Sequence, residues 1–436
     1  MLDQVRKDYF EKKIKTQHLE TAIFERVYNS DPAKVRDACN DAAVIRCEQI
    51  EDASGVSLGM IKNTRIDTCA LMGGKAILAG IESKIGGAVI PMGFAGPAKI
   101  SGQYVSADEQ IYIPLATNEA ALVAGVSRGL KAISLSGGLK TLVDFDGMSR
   151  APLIQAPDIY EARSFIEFIN SNMEEYITEL QKCVPDPFVK LDKITTYQLG
   201  PKVFLRLTFK TGDAMGMNGV TKACAEISRY ILASKPGWKL LTISSNLCAD
   251  KKNAHINVLN GRGKGVQAEV FVPEEVITQV FKKGTTSRSV EKVIFNKCYL
   301  GSNLSGTMSG FNVNAANAVA AFFLATGQDA AQVISSSSSF IQAEAVDGGL
   351  HFMVSLPCME LATVGGGTLF GTAKEALTLI GCGTFGKTPG EDNRSVKRLA
   401  EICAATVAAL DLNTACAQAA GYEMADSHVK LARGES

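Results

Sequence analysis

The sequence is poor in the residues that build metal sites and disulfide frameworks. Its 436 residues include four histidines and one tryptophan, and none of the eleven cysteines forms a C-x-x-C pair. Zinc sites and small disulfide-stabilised scaffolds need closely spaced ligands or cysteines, so both classes are disfavoured. Reduced thiols in a cytosol-like compartment are the simplest interpretation, and we expect no bound metal.

The chain also lacks net charge and long apolar runs. Lys and Arg together number 45, as do Asp and Glu, so no overall field attracts nucleic acid or an anionic membrane. Residues 1–15 lack the apolar run of a secretory signal, and the most apolar stretch, Ala315 to Ala325, is well short of the roughly 20 residues that cross a bilayer. We expect a soluble protein of the cytoplasm or an organelle lumen, with no nucleic-acid or membrane partner. Any anionic ligand must then meet a local basic site.

The composition that remains is typical of a multidomain globular protein. Hydrophobic residues make up 46% and charged residues 21% of the chain, enough for a large core and two or three domains. Up to about residue 81 the pattern predicts helices joined by polar turns. Between residues 151 and 244 the apolar periodicity predicts the order β-α-β-β-α-β. The strands are predicted over 151–155, 189–197, 202–210 and 239–244, and the helices from Ile159 to Leu180 and from near Asp213 onward.

That order is typical of the split βαβ, or ferredoxin-like, unit. We therefore predict an α+β fold with a helical N-terminal cap, a large α/β domain and an inserted ferredoxin-like domain. The predicted boundaries are residues 1–81 for the cap, 82–151 and 243–436 for the two parts of the large domain, and 152–242 for the insert. Two Ala-rich helices, Asn312 to Ala325 and Ser395 to Ala409, are predicted in the second part of the large domain.

Two glycine-bearing segments are candidates for phosphate contacts. Residues 213–218, DAMGMN, lead from a strand into a helix, where free N–H groups and the positive end of the helix dipole favour an anion. An ordinary helix start capped by Asp213 explains the same pattern. The three glycines at 365–367 permit close approach of a ligand to the backbone, or simply a tight turn. Local sequence leaves both alternatives open for each segment.

Several other motifs accompany these two segments in a fixed order: IPMGFAGP at 90–97, ATNE at 116–119, DGMSR at 146–150, DKK at 250–252, GQDAAQ at 327–332 and SH at 427–428. Together with DAMGMN at 213–218 and TVGGGT at 363–368, they resemble the signature segments of 3-hydroxy-3-methylglutaryl-CoA (HMG-CoA) reductases, in the soluble catalytic form of the eukaryotic class. The resemblance extends from about residue 82 to the C-terminus. It implies reduction of HMG-CoA to mevalonate and CoA with two NADPH, as in isoprenoid biosynthesis. It further implies a substrate-binding large domain, a cofactor-binding insert, and a homodimer or tetramer with shared active sites.

The resemblance assigns four catalytic residues, each of a type that the reaction requires. Lys251 matches the lysine that stabilises the carbonyl oxyanion, because an ammonium group supplies positive charge and hydrogen-bond donors. Glu119 matches the acid that protonates the developing alkoxide, and burial in the apolar stretch 114–126 would favour its protonated form. Asp329 matches the carboxylate that orients these two residues. His428 matches the histidine that protonates the CoA thiolate, since imidazole titrates near neutral pH.

Substrate and cofactor contacts are assigned in the same way. Arg128 and Lys131, on the helix after Glu119, match the basic pair that meets CoA phosphates, although a solvated helix face explains them too. The residues that match anchors for the hydroxymethylglutaryl group, where charge-assisted pairing suits a carboxylate, are Arg150, Ser244, Asn246, Asp250, Lys252, Lys297 and Asn317. The residues that match cofactor contacts are Asp213, Met215, Gly216, Met217, Asn218, Gly366, Gly367, Asp186 and Arg433.

Three positions depart from the family pattern. Residues 82–86, ESKIG, keep only the first and the last two letters of the family's ENVIG, a segment of dimer contacts. Asn314 stands where many relatives carry a histidine near the lysine. Asp186 and Pro187 replace a Ser-Arg pair near the cofactor's ribose, where a carboxylate repels a 2′-phosphate or accepts from a 2′-hydroxyl. Arg433 still favours NADPH, with NADH as the alternative.

Other functions fit parts of the pattern. Taken singly, Glu119, Lys251, Asp329 and His428 are each explained by a helix start or a solvated side chain. An acyl-CoA lyase or thiolase-like enzyme would need a catalytic cysteine or a metal cluster, for which the scattered cysteines and histidines give no arrangement. An inactive CoA- or nucleotide-binding relative would keep the motifs without the reaction, but the retention of all four catalytic residue types argues against it.

Overall fold

The computed structural model describes residues 1–64, 70–72, 75–77, 81–383, 393–426 and 429. The α-helices are α1 Leu2–Phe10, α2 Leu19–Arg26, α3 Val35–Ser54, α4 Gly59–Asn63, α5 Leu122–Leu135, α6 Ile159–Ser171, α7 Met173–Gln181, α8 Met217–Ala233, α9 His255–Asn260, α10 Glu274–Val280, α11 Ser287–Ile294, α12 Ser302–Leu304, α13 Ala315–Thr326, α14 Val333–Ser336, α15 Gly371–Leu379 and α16 Arg394–Ala419. Short 3-10 helices cover Thr16–His18, Pro32–Lys34, Ala330–Gln332 and Gly366–Leu369, and a π-helix covers Phe295–Gly301.

The strands are β1 Ala70–Met72, β2 Lys75–Ile77, β3 Met92–Ala98, β4 Ile100–Ser101, β5 Ile111–Ala116, β6 Leu139–Arg150, β7 Leu153–Gln155, β8 Lys190–Leu199, β9 Lys202–Lys210, β10 Lys239–Thr242, β11 Gly263–Pro273, β12 Gly310–Phe311, β13 Ser339–Val346 and β14 Gly349–Met359. Ten of them form one sheet, with the order β10-β7-β9-β6-β11-β14-β13-β12, to which β8 is added beside β9 and β4 beside β6. The predicted α+β fold is confirmed.

The ferredoxin-like arrangement lies at one end of this sheet. Strands β10, β7, β9 and β8 are neighbours in that order and all pair antiparallel. Helices α6, α7 and α8 pack on them around a hydrophobic cluster of their own, which includes Phe165, Leu207 and Ile227. The remainder of the sheet, with α5, α13 and α16, encloses a separate and larger cluster. From this division of the core we propose the domain boundaries near residues 81, 151 and 242.

Several element boundaries differ from those that the sequence predicts. The helix predicted from Ile159 to Leu180 is broken at Asn172, whose backbone leaves the helical region with φ −126° and ψ 32° while its side-chain amide bonds to the Phe168 carbonyl. The next helix begins at Met217 instead of near Asp213, after Gly216 in the left-handed region with φ 86°. In the N-terminal region, β1 and β2 pair antiparallel where only helices were predicted.

A long helix, α16, forms the centre of the large unit. It runs for 26 residues, well beyond the predicted Ser395–Ala409, and packs against α5, α13 and α11. By length and composition it could cross a bilayer, but 94% of its most apolar window is buried inside the protein, as in the core helix of a globular domain. Helix α5 lies very close to it at Gly129, where an added Cβ would lie 1.9 Å from the Ala409 carbonyl oxygen. Glycine is therefore required at 129, and α5 is fixed against α16.

The N-terminal helices α1 to α3 form a third cluster, which includes Tyr9, Leu19 and Ala38. An ion pair is buried beside it, in which both terminal nitrogens of Arg46 donate to the Glu20 carboxylate at 2.7 Å. Nine cysteines of the described residues are free thiols. Cys39 is disulfide-bonded, so the expectation of reduced thiols is wrong for Cys39.

The start of α13 is held by a buried carboxyl on α16. Asp411 is fully buried and accepts the backbone N–H of Asn314 at 2.6 Å. Burial raises the pKa of Asp411 to about 7, although this N–H, that of Val313 and the charge of Lys297 oppose the rise. The folded state therefore holds this proton more tightly than the unfolded state does.

We expect the stability that Asp411 contributes to be full below about pH 4 and to be lost as the pH rises toward 7. Asp411→Asn cannot ionise, so its free energy of unfolding should fall less than that of the wild type over this range, by on the order of 1 kcal/mol or more. Denaturant unfolding at a series of pH values measures the two slopes. Parallel slopes would contradict the pH dependence assigned to this carboxyl.

Candidate active site

An exposed ion pair joins two residues of the predicted catalytic set. The Nζ of Lys251 lies 2.8 Å from Oδ2 of Asp329, and the two side chains retain 42% and 36% of their exposure. Asp329 also caps the 3-10 helix Ala330–Gln332, because its Oδ1 accepts the Ala331 N–H at 3.1 Å. The structural explanation of Asp329 as a helix start is thus correct, and the same carboxylate also holds the lysine.

The loop that carries Lys251 is conformationally strained. Asn246, Ala249 and Lys251 have positive φ values of 65°, 47° and 55°, a region that residues with a Cβ rarely occupy. Such strain persists only where surrounding contacts hold it, and it concentrates at functional sites. One of these contacts is Arg206, whose buried guanidinium donates to the Leu247 carbonyl at 2.7 Å.

Three predicted substrate anchors meet beside this loop. Arg150 donates to Ser244 Oγ at 3.1 Å and lies 3.4 Å from the carboxylate of Asp250. It also reaches Thr221 on α8, with Nη2 3.0 Å from the hydroxyl. We call Arg150, Ser244, Asp250, Lys251 and Asp329 the lysine cluster. It presents cationic and hydroxyl donors together, as an anionic, hydroxylated ligand requires.

Asp250 contacts a buried arginine that is itself paired with a buried glutamate. Its Oδ1 accepts from Arg262 Nη2 at 3.1 Å and from Gln332 Nε2 at 3.0 Å. Burial opposes ionisation of this carboxyl, but the charges of Arg262 and Arg150 and the Gln332 hydrogen bond lower the pKa of Asp250 below its usual value. Arg262 in turn is paired with Glu360, and neither side chain is exposed. Burial raises the pKa of Glu360 to about 7, against the lowering effect of Arg262.

Sequence reasoning missed Arg262, Gln332 and Glu360. Gln332 falls inside the GQDAAQ motif without having been given a role. The signal for Glu360 is its place in the apolar run Met359–Leu361, directly before TVGGGT. A charged residue in an apolar run indicates a buried partner of opposite charge.

A second group of predicted residues surrounds a cavity of about 220 Å³ between α5, α16 and the start of α13. Glu119, Arg128 and Asn314 line it, and we call these three the cavity cluster. Glu119 is exposed, so the expectation that the apolar stretch buries this carboxyl is wrong for the single chain. Its side chain instead faces the cavity.

Arg128, which lines this cavity, has three partners within the chain. Its Nε donates to Asn413 at 2.6 Å, its Nη1 pairs with Glu423 at 2.6 Å, and its guanidinium lies 5.5 Å from the centre of the Phe281 ring. A phosphate at Arg128 would therefore have to compete with Glu423. Lys131, one turn later on α5, is exposed.

The other predicted anchors are more scattered. Lys252 is exposed, and its Nζ donates to the Asp250 carbonyl at 2.9 Å. Asn246 is exposed in the strained loop, Lys297 is exposed on the π-helix, and Asn317 is half-buried in the first turn of α13. Among the described residues, no hydrogen bond or ion pair joins the cavity cluster to the lysine cluster.

The two glycine-bearing segments lie against each other. The Asp213 carbonyl accepts the Thr363 N–H at 2.9 Å, which ties DAMGMN to TVGGGT. The Asp213 side chain accepts the Val396 N–H at 2.9 Å, near the start of α16, so the interpretation of Asp213 as the cap of α8 is wrong. Gly216 precedes α8 instead. After it, Met217 is buried and Asn218 is exposed, while Met215 before it is half-buried.

The triple glycine is required by both conformation and space. Gly365 and Gly366 have φ values of 79° and 55°, and a Cβ on Gly367 would lie 2.5 Å from the Gly327 carbonyl oxygen. Gln328 fastens this contact, accepting the Ala362 N–H at 2.8 Å and donating to its carbonyl at 2.9 Å. Free N–H groups at the start of α8, beside a glycine loop without side chains, fit the phosphates of a nicotinamide dinucleotide.

Asp186 lies at the same end of α8. Its Oδ2 is 3.3 Å from the position that a Cβ on Gly219 would take, and its Oδ1 accepts the Phe188 N–H at 2.9 Å. This places a carboxylate beside the first turn of α8. His428 and Arg433 lie outside the described residues. Within the described ranges, no three His, Cys, Asp or Glu side chains group closely enough to hold a metal ion.

The chain is similar to several known proteins. Residues 42–433 match the family model for hydroxymethylglutaryl-coenzyme A reductase. The chain is 43% identical to the 3-hydroxy-3-methylglutaryl-coenzyme A reductase of Aeropyrum pernix, over 91% of this chain and 90% of that protein. It is 38% identical to the reductase of Aspergillus terreus, over 80% of this chain and 32% of that longer protein.

Among solved structures, the fold resembles the class II 3-hydroxy-3-methylglutaryl-CoA reductase of Streptococcus pneumoniae bound to NADPH in open conformations. The TM-score is 0.59 at 17% identity, over 78% of this chain and 87% of that one. This likeness concerns the fold alone. The family match and the archaeal and fungal relatives carry the assignment, and the chain belongs to the hydroxymethylglutaryl-coenzyme A reductase family.

Proposed function

We propose that this protein reduces HMG-CoA to mevalonate and CoA with two NADPH, in the mevalonate route to isoprenoids. The observation that carries the proposal is the Lys251–Asp329 ion pair, 2.8 Å long, on a strained loop beside Arg150, Ser244 and Asp250. An exposed ammonium group, oriented by one carboxylate and next to anion-binding groups, suits the stabilisation of a carbonyl oxygen as it becomes negative.

Lys251 acts on that oxygen. Its charge and N–H donors stabilise the oxyanion, and Asp329 fixes the direction of the ammonium so that no reorganisation is needed during reaction. Arg150 and Ser244 bind the carboxylate and hydroxyl of the hydroxymethylglutaryl group, and Asp250 holds Arg150 in place. Asn246, Lys252, Lys297 and Asn317 complete the substrate contacts.

Residues at the start of α8 and in the glycine loop hold the nicotinamide dinucleotide. Met215, Gly216, Met217 and Asn218 form one wall and Gly366 and Gly367 the other, while Asp213 joins them through Thr363. When bound, the cofactor supplies the hydride for each of the two reduction steps. Arg433 favours its 2′-phosphate, and Asp186 opposes it.

Glu119 supplies the proton for the alkoxide, and His428 protonates the departing CoA thiolate. Because the cavity cluster and the lysine cluster are not joined within one chain, we propose that the partner's Lys251 completes the active site that contains Glu119. The assembly is then a homodimer, or a tetramer built from such dimers, with Arg128 and Lys131 toward the CoA phosphates. We place it in the cytoplasm or an organelle lumen.

The test is consumption of NADPH in the presence of HMG-CoA. Two NADPH should be oxidised for each mevalonate formed, as nicotinamide absorbance and product chromatography would show. Binding of HMG-CoA or NADPH without turnover would instead identify an inactive CoA- or nucleotide-binding relative. The described site favours the enzyme, because the lysine and its orienting carboxylate are both in place.

We expect NADPH to give a higher kcat/KM than NADH, and Asp186→Ser to widen that preference about tenfold. Removing the carboxylate beside α8 removes its repulsion of a 2′-phosphate, which is worth on the order of 1 kcal/mol at a partly exposed site. Steady-state kinetics with both cofactors measure the ratio. Glu226→Ser, a change at a carboxylate further along α8, serves as the control. Equal or better use of NADH by the wild type would overturn the NADPH assignment.

A further inference from the structure

A buried arginine contacts three of the segments that form the site. Arg262 lies between α9 and β11, and its side chain has no exposed surface. Its Nη2 donates to Asp250 Oδ1 at 3.1 Å and lies 2.9 Å from the sulfur of Met217, the first residue of α8. Its Nη1 pairs with the carboxylate of Glu360. The loop that carries Lys251, the start of α8 and the end of β14, which leads to TVGGGT, thus meet at one guanidinium.

The charges around this guanidinium are costly to bury, and they include the buried Arg206, whose pKa is lowered by burial and by the charge of Arg262. Arg150 and Arg262 face Asp250 and Glu360. Arg150 and Asp250 keep some exposure, whereas Arg262 and Glu360 have none. Burial lowers the pKa of Arg262, but Glu360 and Asp250 together raise it above its usual value, so the group stays charged. Apolar side chains often fill such a space with equal or better stability. A buried pair of this kind is therefore better explained by what it orients than by its contribution to stability.

The geometry shows what is oriented. A guanidinium is a rigid planar fork, so holding its Nη1 against Glu360 and its Nη2 against Asp250 fixes the plane of the group. Oδ1 of Asp250 is held from behind by Arg262 and Gln332, which leaves Oδ2 toward Arg150 at 3.4 Å. Arg150 in turn reaches Ser244 and Thr221. The same guanidinium that orients Asp250 also holds the start of α8 through Met217.

We infer that Arg262 is a positioning residue for the proposed reduction. It sets Asp250, which holds the substrate-binding Arg150, and the cofactor-binding start of α8 in one fixed relation. Glu360 is the anchor that holds Arg262 in that orientation. This inference rests on the proposed function, since it describes how the binding groups of that reaction are kept in register. Loss of the fork should weaken binding of HMG-CoA and of NADPH together.

The first test is Arg262→Lys, which keeps the positive charge but removes the fork. The KM values for HMG-CoA and for NADPH should both rise about tenfold, as expected for loss of one hydrogen bond to a charged group. A merely structural role would lower kcat by reducing the active fraction and would leave both KM values unchanged. Arg46→Lys is the matched control, because it shortens a buried arginine that pairs with Glu20 among the N-terminal helices. Its KM values should stay at those of the wild type.

The second test is Glu360→Gln, which is isosteric and keeps the protein testable if Arg262→Lys does not fold. Within the described residues, Glu360 makes no hydrogen bond to Asp250 or Met217, and the change weakens its side-chain contact with Arg262. We expect both KM values to rise about threefold. A folded Glu360→Gln enzyme with both values unchanged would overturn the inference, as would a folded Arg262→Lys enzyme with both unchanged. A wild type that does not turn over HMG-CoA would refute the proposed function instead.

Discussion

Lys251→Ala is expected to lower kcat for HMG-CoA by about 10³-fold or more, and to lower turnover of free mevaldehyde to a similar extent. Removal of one oxyanion-stabilising donor from an enzyme costs about 10²–10³-fold, and Lys251 contributes a full charge as well. Both reduction steps develop negative charge on a carbonyl oxygen, so both should fail. Steady-state NADPH consumption with each substrate measures the two losses.

Two comparison variants make this result specific. Lys283→Ala removes an exposed lysine after α10 and should leave both activities unchanged. His428→Gln should impair reduction of the thioester while sparing mevaldehyde, because only the thioester releases a thiolate that needs a proton. If the Lys251→Ala enzyme still reduced mevaldehyde at the wild-type rate, Lys251 would have no role in the second reduction step. Equal losses with both substrates for His428→Gln would count against the role given to His428.

Glu119→Gln is expected to be nearly inactive by itself and to regain activity when it is mixed with Lys251→Ala. A general acid contributes about 10²–10⁴-fold, and glutamine cannot donate a proton at this position. If each site combines Glu119 of one chain with the partner's Lys251, a dimer of the two variants has one doubly altered site and one intact site. Random assembly then restores roughly one quarter of the wild-type activity.

Co-expression of the two variants with different affinity tags allows the mixed dimer to be purified and assayed. Each variant alone, carried through the same procedure, supplies the baseline. An inactive mixed dimer would show that Glu119 and Lys251 serve the same chain's site, in conflict with the proposed division of the site between subunits. The purified mixed dimer should show about one half of the wild-type activity, because one of its two sites is intact.

The small unit could be predicted closely from the sequence because its signals are local. The Gly200-Pro201 turn ends one alternating run and starts the next, and β9 forms at the predicted residues 202–210. The single helix predicted from Ile159 to Leu180 has a continuous apolar stripe, so nothing in its periodicity reveals the break at Asn172. The length of α16 could not be predicted either, because its later turns continue the Ala-rich pattern without a stop signal. Core packing decides where this helix ends.

The site was harder to predict, because its contacts join residues far apart in the chain. The motifs name Asp250 and Arg150, but the pairing of Arg262 with Glu360 spans 98 positions and has no local spacing rule. The expected burial of Glu119 is wrong for the single chain, because an apolar neighbourhood in sequence does not determine which way the turn between β5 and α5 faces. Asp213 shows the same limit, since its side chain does not cap α8 and instead accepts a backbone N–H of α16.

Strand β6 has a consequence for how the molecule can move. Residues 140–147 of this strand pair with β11, and residues 148–150 pair with β9, so one uninterrupted strand belongs to both the large unit and the small unit. A free hinge between the two sides would require breaking these backbone hydrogen bonds. Relative movement of the two units must therefore come from twisting of the shared sheet or from loops at its ends. Force applied to the small unit would be transmitted directly to Arg150, the last residue of that strand.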